Sequence, residues 1–108
     1  MVKTIKLDDH TISLIGFAIK AGSIVKGFQA LLNALKANSV AVILLDFQIS
    51  ENSLKKVQNK VRYNKIPIFK TQSNINWDII WGIKNQKIMG ILNGELGRNI
   101  SKKFKAGV

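Results

Sequence analysis

Four stretches of the chain repeat apolar residues at helical spacing. Ile12, Ile15 and Ile19, flanked by Leu14 and Ala18, form the first stripe. Phe28, Leu31, Leu32 and Leu35 fall at i, i+3, i+4 and i+7, with Gln29, Asn33 and Lys36 on other faces. Leu54, Val57 and Val61 make a third, and Leu96, Ile100 and Phe104 a last one. Between them lie short extended runs. Val40–Leu45 reads VAVILL, the continuous apolar pattern of a strand covered on both faces. Ile66–Phe69 predicts a second strand, with Pro67 tolerable near its start, and Ile88–Leu92 a third. Ser23–Lys26 is extended but too short to assign as a strand by itself. Residues 1–7 alternate and predict a short arm.

The boundaries carry their own chemistry. Asp8, Asp9 and Thr11 suit a helix start, because their oxygens cap free amides and acids favour the positive end of the helix. Gly22 is a natural stop, Gly27 opens the second helix and Asn38 can end it in the left-handed conformation. Asp46–Ile49 predicts a loop, and Ser50 before Glu51 a third helix start. After a polar turn at Thr71–Asn74, a short helix carries Trp77, Ile80 and Trp81, and Gly82 stops it. Tryptophans at i, i+4 can stack on bases, but packing on the sheet is the preferred reading. Lys84–Lys87 is a basic loop, and the tail Lys102–Val108 a basic, frayed end. Strands alternating with helices predict an α/β fold: a three-layer α-β-α sandwich around a small mixed sheet of about four strands.

Length and composition narrow the class. The 108 residues fit one domain, residues 1–108, that could bury roughly 60–70% of its unfolded surface. An apolar content of 46% supports a real core, and the absence of cysteine excludes disulfides and thiolate metal sites. The first ten residues lack the apolar core of a secretory signal, and no run approaches the ~20 residues of a membrane span. These features point to a soluble, cytoplasmic protein. Seventeen Lys and Arg against six Asp and Glu give +11 and a pI near 10.2, a field that attracts polyanions. No stretch pairs a broad apolar face with a dense lysine face, so nucleic acid is preferred over a membrane. Lys55, Lys56 and Lys60 lie off the third apolar stripe and read as a solvated face.

Catalytic chemistry is missing. No phosphate-binding glycine motif, paired metal-binding histidines or nucleophile elbow occurs. The six acids are scattered among different elements, and His10, the only histidine, reads as a surface or capping residue. Neither enzyme activity nor a cofactor or metal is expected. The feature that stands out is Lys26 before Gly27: a helix start offers outward amides with partial positive charge, and a neighbouring lysine adds to that field.

The run Leu14-Ile15-Gly16-Phe17-Ala18-Ile19-Lys20-Ala21-Gly22, followed five residues later by Gly27, resembles the opening of the L-seven-Ae/L-thirty-e ribosomal protein family, in particular its small bacterial YlxQ-type members. The likeness continues through VAVILL, Ser50-Glu51-Asn52-Ser53, Ile66-Pro67 and Gly82-Ile83-Lys84. It implies a four-stranded α-β-α sandwich that binds structured RNA, characteristically kink-turns. The RNA contacts would lie at the second helix start, the loop after the central strand and the loop before the last strand. Kink-turn binders carry Lys-Gly-x-Asn-Glu-x-x-Lys at the first of these. Here Lys26 and Gly27 match, while Gln29 stands for Asn, Ala30 for Glu and Asn33 for Lys, and Phe47-Gln48 replaces an acidic pair. Ala30 cannot accept from a guanine edge, and the extra methylene of Gln29 shifts an amide contact that could discriminate by roughly 1–3 kcal/mol.

The resulting expectation is a non-catalytic RNA-binding protein, ribosomal or translation-associated. Lys20, Lys26, Lys36, Lys84 and Lys87 would hold phosphates and Gly27 would permit close backbone approach. Gln29 and Asn33 would touch bases or sugars, with Phe28, Phe47, Gln48 and Asn85 completing the surface. The expected partner is structured ribosomal or messenger RNA, with ribosomal or translation-factor proteins as further partners and a monomeric state. The rival expectation is a protein-interaction module on the same fold that has lost RNA recognition, with Phe28 and Phe47 as anchors.

Overall fold

The computed structural model describes residues 2–107. Ten elements alternate strictly: β1 (Lys3–Ile5), α1 (Asp9–Lys20), β2 (Ile24–Lys26), α2 (Phe28–Lys36), β3 (Val40–Leu45), α3 (Glu51–Val61), β4 (Ile68–Thr71), α4 (Trp77–Trp81), β5 (Ile88–Leu92) and α5 (Glu95–Ala106). The strands form one mixed sheet in the order β1-β4-β3-β5-β2. β1, β4 and β3 are parallel, and β5 runs antiparallel to both β3 and β2. Four strands therefore end at the same edge of the sheet, where β5 begins.

Side chains leave the strands alternately to two cores. On β5, Met89 and Ile91 enter one core while Ile88 and Leu92 pack on the other. The first core holds Ile15 and Ala18 of α1, Trp77 of α4, and Ile100 and Phe104 of α5. The second holds Leu31, Ala34 and Leu35 of α2 and Val57 and Val61 of α3. Helices thus cover both faces, as the apolar run Val40–Leu45 requires. Each fully buried Leu, Ile, Val or Phe contributes roughly 1.5–3 kcal/mol of transfer free energy, so the three-layer sandwich follows from the two-sided strand pattern. The two tryptophans pack as expected: Trp77 is buried, Trp81 meets it edge-on at 5.9 Å, and the Trp81 indole N–H donates to Ile12 O at 3.0 Å.

Five strands form where about four are expected. The alternating arm becomes β1, and Ser23–Lys26 supplies β2 from Ile24 to Lys26. Three residues cannot hold an extended shape alone; they do so here because remote ladders receive them, Lys3 opposite Phe69 and Lys26 opposite Met89. β4 begins two residues later than its apolar run. Pro67 has no N–H to donate, and its carbonyl accepts from Ile43 N at 3.0 Å just before the strand opens. Thr71 accordingly belongs to β4 rather than to the turn. The tail is not frayed over its described length, because α5 persists to Ala106 with Phe104 buried edge-on against Phe69 at 5.7 Å. Met1 of the arm and Val108 of the tail lie outside the described residues.

Candidate nucleic-acid interface

The common strand end also gathers helix starts. Helices α1 to α4 all follow strands that finish there, and three of the four are capped by a side chain. Asp8 Oδ1 accepts from Thr11 N at 2.8 Å, Ser50 Oγ from Ser53 N at 3.1 Å, and Asn76 Oδ1 from Ile79 N at 3.0 Å. Asp8 is held below its ordinary carboxylate range by the hydrogen bonds it accepts from Thr11. At α2 the capping residue is Gly27, which has no side chain to give, and no side-chain cap bond forms.

Gly27 itself plays a different part from the one its sequence context suggests. It is buried, and its N–H donates to Ile88 O at 2.9 Å, so its amide is already spent on β5. Its φ of +91° favours glycine, and the Gln86 side chain lies close over it, with Oε1 2.7 Å from where a Cβ would stand. Close approach at Gly27 is therefore made by Gln86, from the loop before β5. The first-turn amides left without an acceptor among the described residues are those of Phe28, Gln29 and Ala30.

Three segments converge on this mouth. Lys87 O accepts from Asp46 N at 2.9 Å while Ile88 O accepts from Gly27 N, so consecutive carbonyls at the start of β5 hold the end of β3 and the start of α2. β5 lies between β2 and β3, which places Gly27 and Asp46 about 10 Å apart at two strand spacings. Beside them are Lys26, Gln29, Phe47, Gln48, Asn85 and Lys87, all exposed, and Phe28, half-buried against the α2–α3 core. Lys84 is exposed next to Asn85 in the same loop but does not line the cleft that Asn85 shares with Asp46. Lys87 Nζ meets Asp46 Oδ2 at 3.6 Å, the one ion pair among the described residues, so Lys26 and Lys84 keep their charge uncompensated. Asn85 sits in the left-handed region at φ +61°, which asparagine tolerates.

Two of the expected phosphate holders are elsewhere. Lys20 and Lys36 are the last residues of α1 and α2, helices that run away from the common strand end. Lys36 lies about 12 Å along α2 from Phe28 and shares a groove with Lys60. Asn33 is one turn along α2, exposed, and accepts from Gln29 Nε2 at 3.3 Å. The geometry also adds residues that periodicity did not mark. A cleft of about 210 Å³ opens between the loop after β3, the start of α4 and the loop before β5, bringing Asp46, Asn76, Asp78 and Gln86 beside Phe47, Gln48, Asn85 and Lys87. Asn76 stands directly before the Trp77 helix, and Asp46 closes the VAVILL run, so both were visible as boundary residues. Gln86 had no signal beyond its place between Asn85 and Lys87. Among the described residues no group of three or more His, Asp or Glu could hold a metal ion, and no helix is long and apolar enough to cross a membrane.

No family model matches the sequence. The RNA-binding protein YlxQ of Enterococcus faecium is 28% identical over 81 residues, covering 75% of this chain and 78% of that protein. Among solved structures, a protein of unknown function from Bacillus halodurans C superposes with a TM-score of 0.78, at 17% identity over 91% of this chain and 99% of that one. The 15.5kD RNA binding protein of Giardia lamblia superposes with a TM-score of 0.68, at 10% identity over 94% and 93%. Part of the archaeal translation termination factor aRF1 gives 0.54, at 19% identity over 74% of this chain and 23% of that one. The chain is thus similar in sequence to an RNA-binding protein over most of its length, and it shares the fold of the Bacillus and Giardia proteins.

Proposed function

We propose that the chain is a non-catalytic RNA-binding protein, ribosomal or translation-associated, that grips structured RNA at the α2 mouth and its two adjoining loops. The observation that carries this reading is the likeness to an RNA-binding protein over three quarters of a chain with net charge +11. Lys26, Lys84 and Lys87 hold phosphates, and the free amides of Phe28, Gln29 and Ala30 receive a phosphate oxygen. Gln29 and Asn33 offer amide edges to bases or sugars. Phe47, 48% exposed, offers a stacking face worth roughly 1–3 kcal/mol. The missing Glu at Ala30 weakens direct guanine reading, so a kink-turn is bound chiefly through its backbone shape.

Salt dependence measures the footprint. Contacts by Lys26, Lys84 and Lys87 alone give a slope of log affinity against log salt of about −2 to −3, and engagement of Lys20 and Lys36 as well takes it to about −3.5 to −4.5. A slope near −1 would sink the proposal. Replacing Lys26 and Lys84 by Glu removes most RNA binding, more than about tenfold, while leaving the melting temperature unchanged. The second reading, a protein-interaction module anchored on Phe47, rests on the exposure of that ring. It predicts that the same double variant keeps its partner.

A further inference from the structure

Away from the α2 mouth, on the other side of the sheet, α1 and α4 leave apolar surface uncovered. Phe17 is 64% exposed, Ile79 82% and Ile80 36%. Phe17 and Ile80 wall a groove of about 390 Å³, with Trp81, Ile19 and Gly16 also lining it. Gly16 has no side chain to fill it, and a Cβ there would stand 3.7 Å from Trp81, in ordinary contact. Scattered exposed apolar residues are ordinary on soluble proteins, but a contiguous aromatic and aliphatic set around a groove marks an interaction surface.

We propose that this groove docks an acidic amphipathic helix of a protein partner, independently of the RNA reading. Charge chooses the occupant. The single charged residue lining the groove is Lys20, at the C-terminal end of α1, and no carboxylate lines it. Asp9 and Asp78 sit in the first turns of α1 and α4, outside it. A partner helix that lays aliphatic side chains between Phe17 and Ile80 therefore meets a cation at one end, within the field of a chain of net charge +11. A second copy fits poorly, since it would bring two chains of that charge together. With about 150–250 Å² for a side chain of this size, the three residues expose roughly 300–400 Å². That is well below the ~800 Å² per partner of a stable dimer and suits the narrow face of one helix. RNA fits poorly too, because Lys20 is the one phosphate holder in the groove.

The test is an NMR titration of the full chain with a stapled helix of about 15 residues, carrying leucines at i, i+4 and i+7 and glutamates on its flanks. Amide shifts confined to Gly16–Lys20 and Ile79–Trp81 support the proposal. Phe17→Ser, at an exposed position that leaves the core untouched, weakens binding about tenfold or more, and Lys20→Glu weakens it about threefold. A counterpart peptide with lysine in place of every glutamate binds at least ~tenfold more weakly. The proposal fails if the acidic peptide shifts only the α2 mouth, acting as a mere polyanion, or shifts nothing. It fails equally if both peptides bind alike or if structured RNA moves the α1–α4 amides. Sedimentation showing a dimer that Phe17→Ser dissolves would assign the groove to a second copy and overturn it.

Discussion

The α2–α3 face and the α1–α4–α5 face cover the same sheet with different materials. The first buries small and aliphatic residues, Leu31, Ala34, Leu35, Val57 and Val61, and shows water lysines at positions 36, 55, 56 and 60. The second takes the large aromatics Trp77 and Phe104 inside and still leaves Phe17, Ile79 and Ile80 outside. Both faces carry cations, since α5 shows Arg98, Lys102 and Lys105 to water; what separates them is that the large apolar side chains left exposed on helices, among the described residues, lie on α1 and α4. The α2 mouth has Lys26 and Gln29 exposed beside it, while the α1–α4 groove is lined mainly by apolar residues with Lys20 as its single charge. Two ligands of different chemistry can therefore be held at the two places without competing.

Each face also has a glycine that admits its helix, and the two are constrained unequally. An added Cβ at Gly97 on α5 would lie 1.9 Å from Leu92 O, a backbone atom that cannot step aside. Gly97→Ala should therefore cost about 3 kcal/mol or more by forcing α5 off the sheet, lowering the melting temperature by roughly 12–20 °C. At Gly90, beneath α2, the same atom would meet only the tips Leu31 Cδ1 and Val25 Cγ2 at 2.9 Å. Those tips can rotate, and Gly90→Ala should cost about 1–2 kcal/mol. Equal losses in paired thermal melts would show that the two faces do not differ in this way.

Helix starts sharpen the comparison at smaller scale. Ser50→Ala should destabilise by about 1 kcal/mol, because Ser53 N loses its acceptor, and Ser50→Asp should restore the loss in denaturant titrations. The same experiment at α2 has no counterpart, since Gly27 makes no such bond. The smallest effect belongs to Asp8. Its carboxyl titrates below the ordinary 3.8 when folded, so its charged form adds stability at pH above that value. The contribution is lost as pH falls through the lowered folded value. The stability gap between the native chain and Asp8→Ala, followed by melting from pH 7 downward, should hold to about pH 5 and then shrink; a gap that widens in acid would reverse the assignment.

Much of this architecture was readable from local pattern. Periodicity located α1, α2, α3 and α5, the VAVILL run announced a strand with two covered faces, and Asp8, Ser50 and Gly82 marked ends that the structure keeps. These signals are legible because helix stripes and caps depend on residues within one or two turns of each other. The candidate surface reads in the sequence as three separate segments, at Lys26–Gln29, Phe47–Gln48 and Lys84–Lys87, of which Lys26, Gly27 and Lys84 carry the resemblance while Gln29, Phe47 and Gln48 depart from it.

What the chain alone could not decide is which of those residues meet. β1 and β2 exist only because distant strands receive them, and Lys20 and Lys36 leave the mouth only because their helices run away from the common strand end. Gly27 looked like an open amide beside a lysine. In the fold, Ile88 takes its hydrogen and Gln86 covers it, two contacts made across roughly sixty residues of sequence. Local composition sets propensity and charge by itself; tertiary packing alone determines which amides are spent, which cations stand free and which apolar side chains are left facing water.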